Sequence, residues 1–224
     1  MMAARSVEQE TGAGALAPAA AVEWQPSRLR DMFGCRRGRA FSLARPENSW
    51  IQSGSDVGRL EVREARAEDL DAILHILEDA ARWMVRRKVE GWTPGSFSRR
   101  RIAELVERGE MYLAALGGEP AGTFALQWSD IETWGRVPDD AGYVHGLAVR
   151  RDFAGMGVGR ELLRRAENRA SLSGKKYLRL DCVADNGALN EYYRRAGFDY
   201  RGRAVVRGLA VSLYEKEVGV SGAG

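Results

Sequence analysis

Three glycines at alternate positions, Gly155, Gly157 and Gly159, mark the stretch of this chain best suited to chemistry. Before them runs a β-prone apolar segment, Tyr143, Val144, Leu147, Ala148 and Val149, closed by a polar break from Arg150 to Phe153. After them Leu162, Leu163 and Ala166 fall on one face of a helical segment. A strand, a glycine loop and a helix N-terminus in succession outline an anion site. The first helical turn has N–H groups without intrahelical partners, its dipole end is positive, and residues lacking Cβ let a phosphate approach the main chain. Two familiar phosphate loops do not fit. A Walker A loop ends in Gly-Lys-Ser/Thr, whereas Gly159 is followed by Arg160 and Glu161. The dinucleotide fingerprint is G-x-G-x-x-G, and the spacing here is G-x-G-x-G, with no ribose-binding acid after a second parallel strand.

A second motif follows the apolar strand Tyr177 to Val183: Asn186, then Tyr193 seven residues on, then Gly197 and Phe198. Together, the two motifs make the chain resemble the GCN5-related N-acetyltransferase (GNAT) family over roughly Leu60 to Val218. That family joins a strand, an (Arg/Gln)-x-x-Gly-x-Gly loop and a helix, and follows them with such an Asn, Tyr and Gly-Phe. The resemblance implies acetyl-CoA as acetyl donor. It implies that Leu147, Ala148 and Val149 pair main-chain groups with the pantetheine arm, and that Gly155, Met156, Gly157, Val158, Gly159 and Arg160 hold the pyrophosphate. Asn186 would bond the cofactor's amide or start a helix. One departure stands out: Ala154 occupies the usual Arg/Gln position, with Arg151 nearby to compensate.

The same resemblance makes Tyr193 the acid that protonates departing coenzyme A, with Tyr192 expected to face the core. A protonated amine cannot attack a thioester, so a base is needed. A histidine titrating near ~6.5 is competent, and His145 is the candidate; the run His-Gly-Leu-Ala-Val is similar to the arylalkylamine branch of the family. Strand alternation puts Tyr143, His145 and Leu147 on one face. Asp130, Glu132, Asp139 and Asp140, in the segment before this strand, are alternatives for the base or contacts for a cationic acceptor. The facing of Asp181 depends on register. Trp83, Trp92, Trp128, Asp130 and Tyr143 are the candidate substrate contacts, since aromatics with nearby acids suit an apolar or aromatic amine. The expected activity is acetylation of a small-molecule amine. Acetylation of a protein or peptide, and a non-catalytic acyl-CoA sensor, are the alternatives.

These residues need a scaffold. The periodicity predicts a mixed α/β sheet in the order β-α-α-β-β-β-α-β-α-β-β. Leu60 to Ala65 alternates as a strand. Leu70, Ile73, Leu74, Leu77, Ala81 and Met84 follow helical spacing. Ser98 caps a second helix carrying Ile102, Leu105 and Val106, and Gly117-Gly118 turns a hairpin. Residues 1–58 lack either period and read as a disordered extension; 59–218 form the domain, and 219–224 a flexible tail. The chain has 34 basic against 31 acidic residues, so arginine runs such as Arg99-Arg100-Arg101 read as solvated helix faces, with no aromatic-basic platform for nucleic acid. No apolar run reaches the ~18 residues of a membrane span. A cytoplasmic enzyme without a metal is expected, since two cysteines at distant positions, Cys35 and Cys182, make neither a disulfide framework nor a metal site. A homodimer is compatible with this reading.

Overall fold

The computed structural model describes residues 59–219; the expected extension over 1–58 and the tail beyond Gly219 lie outside the described residues. In chain order the elements are β1 (Leu60–Glu64), α1 (Leu70–Arg87), α2 (Arg99–Glu107), β2 (Met111–Leu116), β3 (Glu119–Gln127), a single turn α3 (Ile131–Trp134), β4 (Ala141–Val149), α4 (Val158–Leu172), β5 (Tyr177–Val183), α5 (Gly187–Arg195), β6 (Asp199–Val206) and β7 (Leu209–Glu217). This is the expected order with α3 added, in a segment read from sequence as loop. The strands form one mixed sheet in the order β1-β2-β3-β4-β5-β7-β6.

Local chemistry accounts for the boundaries. Helix α1 buries Ile73, Ile76, Leu77, Ala80 and Ala81 along one stripe and ends where Lys88 turns left-handed. Helix α2 starts at Ser98, whose hydroxyl accepts a hydrogen bond from the Arg101 amide at 3.3 Å. Gly117 and Gly118 both have positive φ, which the tight hairpin between β2 and β3 requires. The arginine runs are paired with acids: Arg99 with Asp71, Arg100 with Glu104, and Arg164 with Glu161. No described helix is long and apolar enough to cross a membrane.

Two apolar layers sandwich the sheet. Phe124, Leu126, Val144, Leu162, Leu178 and Tyr214 belong to the layer under α4 and α5. Ile73, Leu77, Ile102, Met111, Leu113 and Ala125 belong to the layer under α1 and α2. Each fully buried Val, Leu, Ile, Phe or Met among them contributes about 1.5–3 kcal/mol of transfer free energy.

The feature that positions the site is a seam between β4 and β5. These neighbours are parallel and pair only from Ala141–Tyr177 to Val144–Leu180. Beyond that, β4 stays with β3 as far as Val149, and β5 stays with β7 as far as Val183, so the two strands part. At the parting point β4 carries a bulge: Phe124 of β3 stands opposite two residues, Gly146 and Leu147, and Gly146 has φ +60°. The extra residue resets the alternation. His145 therefore does not share a face with Leu147, as strict alternation would require; Leu147 and Val149 pack on the layer containing Val144, while Ala148 joins the opposite layer.

The closed end of the seam is held by Arg179. Its buried guanidinium donates to Glu215 at 2.7 Å and to the Tyr143 hydroxyl at 3.0 Å, and pairs with Asp140 at 3.2 Å. The rings of Trp134, Tyr143 and Tyr177 surround it at 5.3 to 5.7 Å. Arg201 completes the network by donating to the other Glu215 oxygen at 3.0 Å. A buried charge this well paired is expensive to break from one side.

Candidate active site

Where β4 and β5 part, three titratable side chains converge from three elements. His145 comes from β4, Asp181 from β5, and Asp130 caps α3. Their ligand-capable atoms all lie within 4.8 Å of one another. His145 Nε2 is 3.8 Å from Asp130 Oδ2. Asp130 is oriented by its own helix, because Oδ1 accepts from the Thr133 amide at 3.1 Å. The remaining oxygen, Oδ2, is buried and has no hydrogen-bond partner among the described residues. Burial and the nearby Asp130 push the Asp181 carboxyl above its ordinary pKa, with His145 acting in the opposite direction.

Asp181 also lines a cavity of about 430 Å³. Glu90 and Gly91 from the segment after α1 form one side, and Val206 to Leu209 at the β6–β7 turn form another. Arg207 of that turn donates two 2.8 Å hydrogen bonds to Glu132 on α3. The cavity thus presents carboxylates near a histidine, an arrangement that can hold an ammonium group and take a proton from it.

On the α4 side of the parting strands lies the glycine loop. Gly155 and Gly157 have φ +80° and +84°, the left-handed region that favours glycine, and Gly157 is the residue from which α4 starts. A Cβ at Gly157 would meet nothing within 4 Å, so its surface is open to a ligand. The first-turn amides of α4 point towards this opening. At Gly159 the situation differs. A Cβ there would come 2.9 Å from the Tyr192 hydroxyl, so a larger residue would push that side chain aside.

These geometries fit one protein architecture. The acetyltransferase (GNAT) family model matches residues 71–198, more than half of the chain. The chain belongs to the GNAT family. A curated relative, an uncharacterized N-acetyltransferase YesJ of Bacillus subtilis (strain 168), is 32% identical over 160 residues, covering 67% of this chain and 86% of its own length. A solved GNAT-family acetyltransferase from Listeria monocytogenes 4b F2365 is 29% identical with a TM-score of 0.61, over 70% of this chain and 94% of that one. The PaiA N-acetyltransferase of Thermoplasma acidophilum, solved in complex with coenzyme A, shares the fold at 16% identity with a TM-score of 0.57, over 71% of this chain and 99% of that one.

Within this GNAT domain the residues expected from sequence are distributed unevenly. His145 and Asp130 meet. Asp181, whose facing the sequence left open, joins them. Tyr193 is 5% exposed and its phenol is pushed well above the ordinary tyrosine value by burial, with Cys182, Tyr192 and Asp181 close enough to add to the effect. The core-facing tyrosine is thus Tyr193, in ring contact with Phe198 and Tyr214, and Tyr192 is the half-buried one. Asn186 caps α5, its side-chain oxygen accepting from the Leu189 amide at 3.0 Å. Met156 and Arg160 are exposed on the loop, whereas Val158 is buried beneath it.

The aromatic substrate contacts expected from sequence separate. Trp128 packs against Gly142 and Ala170 on the α4 face, the opposite side of the sheet from His145, because it continues the alternation of Leu126. Trp92 stacks edge-on with Phe97 in the α1–α2 layer. Tyr143 is a wall of the Arg179 cage. Trp83 is covered by the Arg151 guanidinium at 4.4 Å from its ring. Arg151 is also desolvated and reaches the Val149 carbonyl, so it is turned to α1 and does not stand in for the side chain missing at Ala154. Sequence reasoning missed Glu90, Arg207 and the Arg179 cage. A usable signal existed for the cage: Leu178, Leu180 and Cys182 alternate, which places Arg179 and Asp181 together on the other face.

Proposed function

We propose that this protein transfers the acetyl group of acetyl-CoA to the primary amine of a small molecule by direct attack. The observation that carries the reading is the His145, Asp130 and Asp181 cluster at the point where β4 and β5 part, whose Asp181 also lines a cavity together with Glu90. The gap between those strands and the open glycine loop fit an extended, phosphate-bearing cofactor. Main-chain groups from Leu147 to Val149 on the β5 side, and the first-turn amides from Val158 to Arg160, would hold it. Acetyl-CoA supplies an electrophilic thioester carbonyl and a thiolate leaving group.

The chain's own residues do the rest. Glu90 and Asp181 draw the acceptor's ammonium into the cavity, and Asp130 stands beside the base. His145 Nε2 takes one proton from it, directly or through one water, freeing the nitrogen lone pair. As the new C–N bond forms and the C–S bond breaks, Tyr193 gives its phenolic proton to sulfur. A tyrosine phenol is protonated throughout the neutral range, the state in which it can donate. As the amide forms, the nitrogen sheds its second proton, which passes through solvent to regenerate the tyrosine, and His145 releases the proton it took up to solvent.

Thiol release should be followed with acetyl-CoA and a panel of small primary amines beside peptides with free N-termini or lysines. The expected result is turnover with one or more small amines, reduced at least 100-fold in His145→Gln with acetyl-CoA binding retained. Turnover with peptides alone would overturn the small-molecule assignment. Saturable cofactor binding without turnover on any acceptor would overturn catalysis itself in favour of an acyl-CoA sensor.

A further inference from the structure

We propose that Asp130, His145 and Asp181 form a divalent-cation site. Spacing along the sequence gave no hint of it, because each ligand comes from a different element. In the fold, one imidazole nitrogen and two carboxylate oxygens lie within 4.8 Å of one another. A cation about 2.0–2.2 Å from each ligand needs ligand atoms roughly 3–3.6 Å apart, so rotamer adjustments of about an ångström close the set.

The second observation concerns Asp130. Its side chain is 9% exposed, Oδ1 is spent on the Thr133 amide, and the buried Oδ2 lies 3.8 Å from His145 Nε2 without a hydrogen bond. Leaving a buried acceptor unsatisfied is costly, and leaving a carboxylate so is costlier. A cation between Asp130 and His145 removes that cost. One nitrogen and two oxygens are a borderline-to-hard donor set, suited to zinc or manganese and unsuited to copper(I). Asp181 also lines the neighbouring cavity, from which water would fill the remaining coordination positions.

Metal-free full-length protein, without acetyl-CoA or amine, should be titrated with Mn2+ by electron paramagnetic resonance and with Zn2+ by calorimetry. One site of micromolar or tighter affinity for Zn2+ is expected, weakened at least tenfold in Asp130→Asn and in Asp181→Asn, with circular dichroism reporting that both variants fold. In unaltered protein the Mn2+ spectrum should carry coupling to an imidazole nitrogen, lost in His145→Gln and kept in His75→Gln; these are the chain's two histidines. Absence of saturable binding up to about 1 mM of either ion, binding that ignores all three ligand substitutions, or Mn2+ without nitrogen coupling each overturns the site. These readouts need no turnover, so they stand apart from the acetyl-transfer reading.

Discussion

Replacing Gly146 by alanine isolates the role of the β4 bulge. Gly146 has φ +60°, and a Cβ built there meets nothing closer than the Leu77 Cδ2 atom at 3.8 Å, an ordinary contact. The space is adequate, so the cost is almost purely that of holding an L-residue left-handed, about 1–2 kcal/mol. For a domain of this size each kcal/mol lowers the melting temperature by about 2–4 °C, which gives a drop of about 2–8 °C. Asparagine, which tolerates this region, should lose about half as much, and valine should lose more than alanine. If the strand instead relieves the strain by straightening, Leu147 and Val149 leave their layer and His145 turns away from Asp130. Thiol release would then fall more than tenfold. Thermal melts by circular dichroism and steady-state kinetics on the glycine, asparagine, alanine and valine forms provide the assay. If alanine matched glycine in stability, or asparagine did no better than alanine, the bulge would not rest on the left-handed glycine.

Other outcomes follow from the same geometry. Tyr193→Phe should lower kcat at least tenfold while leaving acetyl-CoA binding nearly unchanged, as measured by calorimetry beside turnover; equal turnover would remove Tyr193 from the chemistry. Asp181→Asn should stabilise the fold at pH 7 by on the order of 1 kcal/mol while impairing turnover. Because the folded-state pKa of Asp181 is raised, its favourable contribution is complete below the unfolded value near ~3.9 and is lost as pH rises through the folded value. The advantage of Asn should therefore shrink in melts as pH is lowered towards 4. Burial pushes the Cys182 thiol up to about 12, so alkylation at pH 8, mapped by mass spectrometry, should leave it unmodified in the native protein and modify it in denaturant. Gly159→Ala should displace the Tyr192 hydroxyl and weaken acetyl-CoA binding several-fold; unchanged affinity would detach that hydroxyl from the cofactor loop.

Much of the scaffold was legible because periodicity and caps agree locally. The apolar stripe of α1, the Ser98 cap and the Gly117-Gly118 turn each announce themselves within a few residues, and the glycine loop with its helix is a contiguous signal. The site was only half legible. Asp130, His145 and Asp181 are brought together by strand register and by the one-turn helix α3, neither of which leaves a local pattern. The bulge adds one residue to a period of two, so alternation assigned Leu147 to the wrong face. The tryptophans were misread for a related reason. Their composition suited a pocket, but counting by two from Leu126 puts Trp128 in the opposite layer. The paired tyrosines could have been sorted, since Leu189 and Tyr193 are four apart on one helical face.

The short pairing of β4 with β5 makes the sheet two half-sheets stitched over four rungs. One contains β1 to β4 and the other contains β5, β7 and β6. The Arg179 cage rivets the stitched end, leaving the other end to spread like a partly opened book. An extended ligand lying in that opening would supply some of the cross-links the strands forgo. Cohesion across the middle of the domain then becomes a property of the loaded protein, and cofactor occupancy sets how independently the two halves breathe.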